Sequence, residues 1–62
     1  MTPKERLIRL VDDSARALGT QRALARYLEA SEQQVCNWRK GRSMPNPIDV
    51  VKMQDLLKRA AC

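Results

Sequence analysis

The chain contains no histidine and no phenylalanine, and its aromatic residues are one tryptophan and one tyrosine. Without histidine, the commonest general base and the commonest transition-metal ligand are both missing. Two cysteines, Cys36 and Cys62, cannot supply the four ligands of a structural zinc site. No activated serine or cysteine arrangement is present, and the acidic residues follow helix-cap and surface spacing. An enzyme is therefore not expected, nor a metal, a cofactor or a small-molecule ligand. No segment alternates as a half-buried strand would, and neither Asn-Gly nor Asp-Gly marks a hairpin. No apolar run approaches the ~20 residues of a membrane span, and the first residues lack a signal-peptide core. A cytoplasmic protein without membrane contact is expected, with both thiols free.

What is present is short, apolar enough to fold, and basic. The 62 residues are 44% hydrophobic and 31% charged, which excludes a polar disordered tail. The length suits one domain over 1–62 and has no room for a second. Twelve Lys and Arg against seven Asp and Glu leave a charge of +5 at pH 7. A core this small is marginal, so well-capped helices or a partner subunit are expected to support it.

The helix signals are clear. Thr2-Pro3-Lys4-Glu5 reads as a capping box with proline in the first turn. Ile8, Val11, Ala15 and Leu18 then recur at helical spacing, and Gly19 stops the segment. Thr20 caps a second, short helix carrying Ala23, Leu24, Ala25 and Leu28, with Arg22 and Arg26 one turn apart on another face. Ser31-Glu32-Gln33-Gln34 is a second capping box and opens a third helix over 31–40, closed by Gly41. Val35 and Trp38, three residues apart, read as its buried pair; that spacing favours core over a stacking platform for Trp38. Asn46-Pro47 opens a fourth helix over about 47–61 with Ile48, Val51, Met53, Leu56, Leu57 and Ala60. That is more apolar surface than one face needs, and Met53, Leu56, Leu57 and Ala60 are candidates for contact with a second subunit. The expected fold is all-α: a compact bundle of four to five short helices.

The second and third helices are joined by almost nothing, with a small residue, Ala25, where they would cross. Two short helices on so tight a turn form a helix-turn-helix, here over about 20–41. The stretch Gly19-Thr20-Gln21-Arg22-Ala23-Leu24-Ala25-Arg26-Tyr27-Leu28, followed by Ser31, Val35, Asn37, Trp38 and Gly41, resembles the Cro and repressor proteins of lambdoid phages, the lambda repressor-like DNA-binding domain. The resemblance covers about 23 residues in detail. It departs at Glu29, where the family usually has a left-handed glycine. A side chain there is expected to cost roughly 1 kcal/mol. In that family the second half is either helical or a β-hairpin; Asn46-Pro47 favours helix here, against the β-branched pair Val50-Val51.

The resemblance implies a transcriptional regulator that binds double-stranded DNA, with the helix over 31–40 in the major groove. Charge agrees: Arg22, Arg26, Arg39, Lys40 and Arg42 stand against Glu29 and Glu32, a net of +3, while the segments before and after carry +1 each. Glu32, Gln33, Gln34, Cys36 and Asn37 are the candidates for base contact, and by resemblance Gln33 and Asn37, with Glu32 beside them, occupy base-reading places. Gln and Asn suit adenine, and Glu can accept from cytosine. Gln34 has a competing use in the capping box. Thr20, Gln21, Arg22, Arg39, Lys40 and Arg42 are the candidates for phosphate. By resemblance Gln21 also braces the first recognition residue. A homodimer on paired half-sites is expected. The alternative is an antitoxin-type interaction module that covers a toxin and autoregulates its operon. The segment after the fourth helix is short for a neutralising tail, which places this second.

Overall fold

Thr2 opens the first helix, α1 (Pro3–Leu18), with both arms of its capping box formed. The Thr2 hydroxyl accepts from the Glu5 amide at 3.2 Å, and the Glu5 carboxylate accepts from the Thr2 amide at 3.3 Å. Gly19 ends the helix at φ +101°, a region an L side chain resists. Thr20 then caps α2 (Gln21–Tyr27) by accepting from the Ala23 amide at 3.0 Å. Ser31 and Gln34 form the second capping box, opening α3 (Glu32–Lys40), which Gly41 closes in the left-handed region. The last helix is α4 (Pro47–Ala60). Asn46 enters it through its carbonyl, which accepts from the Val50 amide at 2.9 Å. The negative complement to its N-terminal dipole comes from Asp49, in the first turn and 9% exposed.

These elements come from a computed structural model that describes residues 2–60. Helix makes up 78% of them, and no strand occurs among them, so the expectation of a small all-α bundle holds. The Val50-Val51 pair lies inside α4. Ala61 and Cys62 fall outside the described residues, and with them the last residue expected for the fourth helix and one of the two cysteines. Cys36 is a free thiol.

Helix α1 is the hub: α2, α3 and α4 all pack on it, and α2 also packs on α3. Val11, Leu24, Val35 and Met53, one from each helix, are fully buried, with Ala15, Ala25, Leu28 and Trp38 closing around them. Each such aliphatic removes enough surface from water to be worth about 1.5–3 kcal/mol. Ser14 is buried among them, its hydroxyl satisfied by the Leu10 carbonyl at 2.7 Å.

The α2–α3 connection is the tightest part of the chain. The Glu29 amide donates to the Arg26 carbonyl and the Ala30 amide to the Ala25 carbonyl. These are the two bonds of a Schellman stop, with Glu29 left-handed at φ +56°. Ala25, 3% exposed, sits beneath this turn.

Candidate nucleic-acid interface

Val35 and Trp38 face the core, so they fix which way α3 points. The opposite face, at helical spacing, carries Gln33, Cys36, Asn37 and Lys40. Gln33 and Lys40 are exposed; Cys36 and Asn37 are half-buried. The Gln33 Nε2 donates to the Asn37 Oδ1 at 3.3 Å. This sets two amides side by side on the outer surface. The Gln33 Oε1 remains as an acceptor and the Asn37 Nδ2 as a donor, the two kinds of group that an adenine edge requires. Glu32 is exposed in the first turn of the same helix.

Gln34 is placed differently from its companions. Its Oε1 accepts from the Ser31 amide at 3.1 Å in the capping box. The amide is thereby turned to the helix start, away from the Gln33–Asn37 pair.

Cations without an ion pair occur on α1 as well as in this region: Lys4 and Arg6 are exposed and pair with no described residue. On α1 and α4, Arg9, Arg16 and Arg59 each pair with an aspartate four residues earlier or later: Asp13, Asp12 and Asp55. Arg22, Arg26, Lys40 and Arg42 form no ion pair with any described residue and are exposed. Their field is therefore not cancelled locally. Thr20 spends its hydroxyl on the Ala23 amide, leaving the amides of Gln21 and Arg22 without helical partners at the start of α2.

Arg39 stands apart from these cations. Its Nη2 lies 2.7 Å from Asp12 Oδ1, and its Nη1 donates to Gln21 Oε1 at 3.0 Å. Gln21 Nε2 in turn donates to the Glu32 carbonyl at 3.3 Å. Asp12 also takes Arg16 on its other oxygen at 3.3 Å. The side chain expected at phosphate is thus engaged by Asp12 and Gln21, while 40% of it stays exposed. Asp12 was absent from the sequence-based site; its spacing to Arg16 is visible in sequence, but its contact with Arg39, 27 residues away, is not.

Among the α4 side chains expected at a second subunit, Met53 needs correction. Met53 is fully buried in the chain's own core and leaves nothing for a second copy. Leu56 and Leu57 are half-buried, and Ala60 is exposed. The outward apolar side chains are Ile48 and Val51, 70% and 62% exposed, with Met44 before them. Pro47, Ile48, Val51 and Lys52 line a shallow groove there. The phase follows from packing: α4 meets α1 alone among the helices, and only one of its apolar faces can be inward.

No helix is long and apolar enough to cross a membrane, among the described residues. No family model, no curated protein and no solved structure matches the chain.

Proposed function

We propose that this chain is a sequence-specific double-stranded DNA-binding transcriptional regulator of the Cro or repressor type. In this reading α3 lies in the major groove, and Gln33 and Asn37 read base edges with Glu32 beside them. The observation that carries it is the outward Gln33–Asn37 amide pair, on a helix clamped from behind by Val35 and Trp38. Arg22 and Arg26 of α2, Lys40 of α3 and Arg42 after it, without ion pairs among the described residues, supply phosphate contacts and salt dependence. The open amides of Gln21 and Arg22 add a neutral phosphate contact.

Two copies are required to read a paired site. The longest extent of one copy is 30 Å, so two side by side can set their α3 helices about one DNA turn, roughly 34 Å, apart. Ile48, Val51 and Met44 are the apolar side chains that a second copy would cover. Three residues fall well short of the roughly 800 Å² per partner of a stable interface. Pairing is therefore expected on DNA, where the two sites raise effective concentration, rather than in dilute solution.

The test is an alanine series titrated against a preferred duplex at two salt concentrations. Gln33→Ala and Asn37→Ala should each relax preference at one base position. Arg22→Ala should weaken all duplexes alike and flatten the salt slope. Equal loss on all sequences for Gln33→Ala removes its assigned role. The second reading is a toxin-covering interaction module, which the exposed Ile48 and Val51 favour. No preferred duplex, together with tight binding to a protein partner, would put it first.

A further inference from the structure

We infer that Arg39 is a positioning residue for sequence discrimination rather than a phosphate ligand; the inference rests on the DNA-binding reading above. Its guanidinium bridges three helices. Asp12 of α1 takes Nη2 at 2.7 Å, and Gln21 of α2 takes Nη1 at 3.0 Å. Gln21 then reaches from the start of α2 to the Glu32 carbonyl at the start of α3. The last turn of α3 is thereby tied back to its own first residue through α2 and braced against α1. Glu32 and Gln33 are the residues that this arrangement holds in place. Asn37, in the middle of α3, lies between the two ends of the tie.

Only a planar fork can do this. Arginine presents fixed N–H pairs that address Asp12 and Gln21 at once, whereas lysine is a point charge on a flexible stem. The charge of Arg39 is also answered by Asp12, in contrast to Arg22, Lys40 and Arg42, which have no such partner. Arg39 therefore adds little to the count of neutralised phosphates, and that count sets the salt slope.

The experiment compares wild type with Arg39→Ala, Arg39→Lys and the double variant Asp12→Asn, Arg39→Ala on the full chain. Each is titrated against a selected duplex, single-base variants of it and a random duplex, at two or more salt concentrations. All measurements are made below the unfolding temperature of each variant. The expected result is a several-fold loss of discrimination in Arg39→Ala, concentrated at the base positions facing Glu32 and Gln33. The slope of log K on log salt should be unchanged. Arg39→Lys should fail to restore discrimination although it keeps the charge. The double variant Asp12→Asn, Arg39→Ala should behave as Arg39→Ala alone. A uniform loss on every duplex, with the slope falling by about 1 and Arg39→Lys restoring both, makes Arg39 a phosphate ligand and overturns the inference. A loss of thermal stability with discrimination intact also overturns it, leaving Arg39 a packing residue only. If wild type itself does not distinguish selected from random duplex, the DNA-binding reading fails, and this inference with it.

Discussion

The amide of Ala30 donates to the carbonyl of Ala25 at 2.8 Å, and between them Glu29 is held at φ +56°. The bond stops α2 and turns the chain sharply into α3. It also forces a residue with a β-carbon into the left-handed region, which costs about 1–2 kcal/mol for an L-residue. Glu29→Gly removes that strain but adds unfolded-state entropy of about 0.4–1 kcal/mol. The expected net gain is about 0.5 kcal/mol, a rise of a few degrees in Tm by thermal unfolding. No gain, or a loss, would mean that the turn is not strained.

Gly41 should behave in the opposite sense. It stands at φ +78°, and a β-carbon there would lie 2.9 Å from Lys4 Cε and 3.3 Å from Ile8 Cδ1. Gly41→Ala is expected to cost about 1–2 kcal/mol from backbone strain alone. The Lys4 stem can swing aside, so adding Lys4→Ala should recover only the contact share. Urea titration of the single and double variants measures both. Full recovery in the double variant would show that the backbone there carries no strain.

The two faces of α4 predict contrasting outcomes. Met53→Ala empties a fully buried site and should cost about 2–5 kcal/mol, most of the stability of so small a domain. Ile48→Ser alters a side chain that is 70% exposed and should leave the unfolding midpoint within about 0.5 kcal/mol of wild type. In the DNA-binding reading, Ile48→Ser should weaken paired-site binding while leaving half-site binding intact. Circular dichroism and a comparison of one- and two-half-site duplexes decide these points.

Ser31 tests the start of α3. Its hydroxyl accepts from the Gln34 amide at 3.1 Å, and replacement by alanine should cost about 1 kcal/mol. Gln34→Ala removes the return arm of the box and should lower stability without changing base preference. A shift in base preference for Gln34→Ala would instead put its amide at the DNA.

Much of this fold was readable because its boundary signals are local. Thr2 with Glu5, Ser31 with Gln34, and Thr20 with Ala23 each act within three residues, and each forms as its spacing predicts. The inward pair of α3 was equally plain, because Val35 and Trp38 stand almost alone among polar neighbours. The Glu29 turn was legible through its resemblance to a glycine-bearing one. Helix α4 was legible as an element but its inward face was not, since Ile48, Val50, Val51, Met53, Leu56 and Leu57 spread around its circumference and periodicity cannot choose among them. Contact with α1 makes the choice, and it selects Met53. Asn46 also differs from expectation, entering α4 by its carbonyl alone among the bonds formed there. In the candidate site, Gln33 and Asn37 were singled out by the resemblance, from five candidates on α3. Their mutual bond is an i,i+4 contact within α3, whereas the Asp12–Arg39–Gln21 bridge is not local, since it depends on how three helices meet.

The central claim is that α3 reads bases, and selection of binding sites from random duplex DNA tests it most directly. Enriched sites would then be titrated at two salt concentrations. The account predicts a two-fold symmetric consensus with half-sites about one helical turn apart, and an affinity that falls steeply with salt. Recovery of no consensus, with only weak and salt-sensitive binding to every duplex, would contradict it.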